Sequence, residues 1–116
     1  MNDLIANTIW HQLIASNQIA VMSWGTHNIK KYDKGIVFKV QARRYKGWIN
    51  IYYDKARDLY DIYFVSGKWY KKATEKPESL KGIFFDQLTE VIDNLIECIP
   101  EYDPQKKRMV IHYINN

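Results

Sequence analysis

Apolar positions along the chain follow two rhythms. Near the start, Leu4, Ile5, Ile9, Leu13 and Ile14 recur at three and four residues, which predicts an amphipathic helix over residues 3–16, with Asn2 or Asp3 accepting from the first free amides as N-cap. In the middle of the chain the period drops to two. Ile36, Phe38 and Val40 alternate with Val37, Lys39 and Gln41; Ile49, Ile51 and Tyr53 alternate with Trp48, Asn50 and Tyr52; Tyr60, Ile62 and Phe64 alternate with Leu59, Asp61, Tyr63 and Val65. Each run reads as a strand with one aliphatic face and one mixed face. The connections ARRYKG and DKARD are too short for a helical crossover, so these strands pair antiparallel as a meander.

Around this centre the signals are weaker. IAVMSW, Ile19–Trp24, reads as a short buried strand, and Gly25 then marks a turn before HNIKKYDKG. Ser66 and Gly67 turn the chain into KWYKKA, an edge strand whose lysines discourage further pairing. The stretch 74–82 reads as a loop. A second helix follows, with Phe84, Phe85, Leu88, Val91, Ile92, Leu95, Ile96 and Ile99 at helical spacing and Pro100 as its stop. MVIHYI, from Met109, either adds a strand after a turn at Asp103 and Pro104 or docks as a tail. The expectation is a single α+β domain over residues 1–116, the tail from about residue 101 left unassigned. Its core is an antiparallel meander of four or five strands with an N-terminal and a C-terminal helix packed on one face.

Composition agrees with a folded domain: 116 residues suffice for one core, and 47% hydrophobic residues argue against global disorder. The one cysteine, Cys98, cannot form an internal disulfide, and no window approaches a spanning helix or a signal peptide, so a cytoplasmic setting without a membrane partner is expected. Charge changes the picture more. Between Lys30 and Lys81 stand fourteen Lys or Arg against six Asp or Glu, whereas residues 82–116 hold three against six. A net charge of +4 thus conceals a basic sheet region beside an acidic second helix carrying Asp86, Glu90, Asp93 and Glu97.

Chemistry is sparse by comparison. His11, His27 and His112 are widely spread, and one Cys gives no zinc spacing, so neither metal nor cofactor is expected. No phosphate-cradling glycine motif or nucleophile elbow occurs. Asp61, mid-strand between aromatic neighbours, is expected on the open face, paired across strands with a lysine. These readings favour a binding module over an enzyme.

The runs IANTIWHQL, IAVMSWGTHN, GIVFKV, KGWINIYYDKARDLYDIYF and LKGIFFDQLTEVID together resemble a group of small proteins encoded by phages and other mobile elements of gut bacteria. The shared pattern is an NTI-x-x-QL helix, a Met and a small residue ahead of His27 and Asn28, a DLYD strand and a DQL-x-x-V helix. The group's glycine-rich turn after the first helix is replaced here by IASNQ, and the tail from Glu101 has no counterpart. The resemblance implies a bacterial host and a shared fold. It carries no activity, and hence no catalytic residues.

The functional expectation rests on the mixed sheet face. Trp48, Tyr52, Tyr63 and Trp69 are to supply contact area there, and Arg43, Arg44, Lys46, Lys68, Lys71 and Lys72 positive potential for nucleic acid or an acidic partner. The alternative is a protein interface on the same face, with a host protein or a second copy of the chain, in which the rings are anchors and the lysines a rim.

Overall fold

The computed structural model of the protein describes residues 3–70, 73, 75–97, 100–103 and 108–111. Helix α1 runs over Leu4–Ser23, seven residues further than the apolar spacing predicted, because it is two helical segments joined at Asn17. Asn17 leaves the helical region at φ −165°, ψ 91°, and its Oδ1 accepts the amide of Ala20 at 3.0 Å, so it caps the second segment. IAVMSW is therefore helical, not a strand. Its buried positions, Ala20, Val21 and Trp24, are spaced as on a helix, with Ile19 and Met22 left to solvent. A run of six apolar residues has no period of its own to separate the two readings. Gly25, at φ +65°, ends the helix, its amide bonded to the Met22 carbonyl.

Five strands follow, β1 (His27–Tyr32), β2 (Gly35–Gln41), β3 (Tyr45–Asp54), β4 (Leu59–Trp69) and β5 (Ser79–Ile83), paired antiparallel in chain order. This is the α+β meander expected, with both outer strands in places read otherwise. β1 occupies a stretch for which no element was expected, after the turn at Gly25: HNIKKY is exposed at all but His27 and shows no apolar alternation, yet it completes the ladder of β2 from Tyr32↔Gly35 onward. β5 lies in the stretch read as a loop, with Leu80 opposite Ile62 and Ile83 opposite Tyr60. Lys68 and Trp69, the start of KWYKKA, do not open a separate edge strand, because β4 continues past Ser66 and Gly67 to Trp69 without turning.

The aliphatic sides of β2, β3 and β4 meet both helices. Ile36, Phe38, Val40, Ile49, Ile51 and Ile62 form one buried cluster with Ile9 and Leu13 of α1 and with Leu88, Ile92 and Ile96 of helix α2 (Leu88–Ile96). Trp24 stacks on Phe38 at 6.5 Å, and Trp10 meets the same ring edge-on at 6.2 Å. The Thr89 hydroxyl of α2 donates to the Leu13 carbonyl at 3.0 Å, bracing α1 beside its kink.

α2 is shorter than its apolar stripe. Phe84 precedes a 3-10 turn over Phe85–Gln87, whose tighter winding rotates both phenylalanines off the core face, and they are exposed. Asp93 is not on a wet acidic face: it is buried, and its Oδ1 accepts the Trp24 indole N–H at 2.8 Å. Desolvation pushes its pKa above the ordinary carboxylate value, a rise that the indole hydrogen bond only partly offsets.

Two further strands, β6 (Pro100–Asp103) and β7 (Arg108–Ile111), pair antiparallel as a sheet of their own, so MVIHYI contributes its first part to a hairpin. Cys98 and Ile99 lie outside the described residues. No helix among the described residues is long and apolar enough to cross a membrane.

Candidate functional site

The sheet face opposite the helices is built by the alternation that buries the core. On β2 it presents Val37, Lys39 and Gln41, on β3 Lys46, Trp48, Asn50 and Tyr52, and on β4 Asp61, Tyr63 and Val65, as the parity of the strands requires. Cross-strand register sets these into rows. Lys39 lies opposite Trp48 and Trp48 opposite Val65; Lys30 lies opposite Val37, Val37 opposite Asn50 and Asn50 opposite Tyr63; Tyr52 lies opposite Asp61. Trp48, half-buried, stands near the middle. Lys30 Nζ sits 5.0 Å and Lys39 Nζ 5.8 Å from its ring centre, two cation–π contacts to one indole. Tyr52 and Tyr63 meet edge to face at 5.7 Å.

Charge on this face is segregated. At one end Asp54 and Asp61 share Arg57, with Nε–Oδ2 at 2.7 Å and Nη2–Oδ1 at 3.1 Å, and Asp61 also accepts the Gly82 amide at 3.0 Å. Asp61 is thus paired with an arginine of the neighbouring turn, not with a cross-strand lysine. At the other end Lys46 and Lys68 oppose each other directly across β3 and β4, a like-charge pairing that costs stability. None of Lys30, Lys39, Lys46 and Lys68 forms an ion pair with a described carboxylate.

Three of the ten expected site residues do not belong to this face. Trp69 is turned to the other side by a β-bulge: Ser66 and Gly67 together oppose Gly47, so the parity of β4 inverts beyond Val65. Its ring packs instead at 4.6 Å from Tyr45 and 5.1 Å from Phe64. Arg44 is only 3% exposed, with Nη1 3.5 Å from the Asn94 carbonyl near the end of α2 and Nε and Nη2 without partners among the described residues. Arg43 is exposed but held to α2, its amide bonded to Glu97 Oε1 at 3.1 Å and its Nε 3.6 Å from Oε2. Lys71 and Lys72 lie outside the described residues. Trp48, Tyr52, Tyr63, Lys46 and Lys68 do come together.

The geometry adds Lys30, which lies in a stretch with no apolar alternation to mark it, and Lys39, whose parity with Val37 was the available signal. Asn50 is a third addition. Half-buried in the central strand, it makes no hydrogen bond through its carboxamide to another described residue, although aromatic rings stand on three sides of it along and across the strands. His27 opens the outer row, its Nδ1 2.7 Å from the Gly25 carbonyl, to which it donates. Among the described residues no three His, Cys, Asp or Glu side chains gather as metal ligands.

No family model matches the chain, and neither a curated protein nor a solved structure matches it.

Proposed function

We propose that the protein is a non-enzymatic module that binds single-stranded nucleic acid on the open face of its sheet. The observation that carries this reading is the set Lys30, Lys39, Lys46 and Lys68 arranged about Trp48, none of them paired with a carboxylate of the described residues. Lys46 opposite Lys68 is unfavourable for the fold alone, and a phosphate backbone supplies the missing anion. Bases stack on sequence-tolerant aromatic platforms, and Trp48, Tyr52 and Tyr63 offer three. As phosphates draw Lys30 and Lys39 away, the Trp48 ring becomes free for a base. The resemblance to proteins of phages and mobile elements, inside a bacterial host, is compatible with nucleic-acid handling. A protein interface on the same face is less well served, because its centre carries two ammonium groups over the indole in place of a continuous apolar surface.

The test is a titration of single-stranded and duplex DNA at two salt concentrations. Four lysine–phosphate contacts to a single strand predict a slope of log K against log salt of about −3, so affinity falls roughly 50-fold for a fourfold rise in salt. Duplex should bind more weakly, since its bases are not free to stack. Absence of binding at low salt removes the proposal.

A further inference from the structure

Asn50 lies at the point of the open face where the three aromatic platforms converge. On its own strand Trp48 and Tyr52 stand two residues either side, pointing the same way, and across the ladder Tyr63 is directly opposite. Its other neighbour is Val37, which has no polar atom to offer in its side chain. A carboxamide in this place has two donors and an acceptor, all uncommitted to described residues, in surroundings that are half withdrawn from water. The amide is half-buried and still reaches solvent, and its place beside stacking rings leaves it open to a polar ligand that arrives stacked. The positions directly flanking it, Val37 and Tyr63 across the ladder and Trp48 and Tyr52 along its own strand, are aliphatic or aromatic, and the polar members of the row, Lys30 and Ser79, stand one strand further out on either side.

We infer that Asn50 reads the edge of a base stacked on Trp48 or Tyr63, giving the nucleic-acid interface a preference for adenine. The inference rests on the binding reading given above and names its ligand class more narrowly. Residues two apart on one strand stand about 6.6 Å apart and directly opposite residues about 4.5–5.5 Å, so a base on either ring brings its edge to the amide beside it. Adenine presents a donor beside an acceptor on two edges, N6–H with N1 and N6–H with N7, where an unpaired cytosine presents that pair on one edge only, N4–H with N3, and Asn matches the N6–N7 pair in a bidentate fashion. Its bicyclic ring also covers more of an indole or phenol than a pyrimidine does. Lysine–phosphate contacts carry no such information and set only the general affinity.

The experiment measures fluorescence anisotropy of short labelled homo-oligomers of adenine, cytosine and thymine, with adenine and uracil ribo-oligomers as a parallel arm, at about 50 mM salt. The intact protein should bind the adenine oligomers about tenfold more tightly than the pyrimidine ones. Asn50→Ala and the similarly shaped Asn50→Leu should reduce that ratio to near one while leaving pyrimidine affinity within about threefold, whereas Trp48→Ala should weaken all oligomers together. A preference equal in the deoxyribo and ribo arms assigns recognition to the base; a larger one in the ribo arm adds the 2′-hydroxyl to the same site. Binding without base preference, or a preference that survives both Asn50 variants, overturns the inference and leaves the binding reading intact. No binding of any oligomer by the intact protein overturns both.

Discussion

The side chain of Tyr45 lies across Gly67, where a Cβ would overlap its ring and hydroxyl, and Gly67 in turn leaves no room for a Cβ on Gly47. The Tyr45 hydroxyl donates toward the carbonyls of Trp48, at 2.9 Å, and Val65, at 3.2 Å, so one phenol spans both strands beside the bulge. Burial raises its pKa to about 12, and it remains a donor throughout the working range of pH. Ser66, at φ +50°, supplies the left-handed residue of the bulge. This arrangement sends Trp69 to the core side and Lys68 to the open face.

Gly67→Ala should therefore destabilise the protein by roughly 2–3 kcal/mol, since the added methyl displaces a buried ring tied to two strands. A thermal melt should show a drop of about 10 °C, and the tryptophan emission of Trp69 should shift to the red. An unchanged melt would mean that the bulge does not depend on this close approach.

Lys46→Gln combined with Lys68→Gln should separate function from stability. Removing two phosphate contacts lowers the salt slope for single strands by about 1.4 and weakens binding at low salt. Relief of the opposed charges should meanwhile raise stability by about 0.2–1 kcal/mol in a denaturant titration. Lost affinity with gained stability marks residues retained for a ligand; a fall in both would assign them to the fold.

Arg44 should behave in the opposite way. Its guanidinium is buried with Nε and Nη2 unpartnered among the described residues, and Arg44→Met replaces that charge with an apolar chain of similar length. Stability should hold or rise by about 1 kcal/mol, and affinity for single strands should change less than twofold. A large loss of affinity would return Arg44 to the interface.

Asp93 makes stability depend on pH with a definite sign. Desolvation raises its folded pKa above the unfolded one, so the folded state holds the proton more tightly. The stabilisation is complete below the ordinary carboxylate value, at about pH 4, and is lost as pH rises through the raised folded value. Glu97, raised by burial against the counteracting Arg43, acts in the same direction. Asp93→Asn keeps an acceptor for the Trp24 indole and removes the buried charge. It should be the more stable protein at neutral pH by about 1 kcal/mol and lose that advantage in acid, as paired melts at two pH values will read.

The order of elements and the choice of core face were open to reading in the chain. Ile36–Val40, Ile49–Tyr53 and Tyr60–Phe64 alternate because a strand with one face on helices must place every second side chain in oil, and that demand is local. Trp48, Tyr52 and Tyr63 could be placed together for the same reason. Tertiary structure decided what parity cannot carry past an irregularity. Asn28 and Ile29 share a place opposite Phe38, Ser66 and Gly67 opposite Gly47, and Lys81 and Gly82 opposite Asp61, and each extra residue is defined only by the partner strand. The bulge at Ser66 and Gly67 moved Trp69 from the expected surface into the core, and pairing with β2 brought Lys30 beside Trp48 from a stretch without apolar rhythm. Burial of Arg44 and Asp93 was likewise settled by what packs over them, the end of α2 and the indole of Trp24, contacts made across 50 and 69 residues of chain that no period in the sequence records.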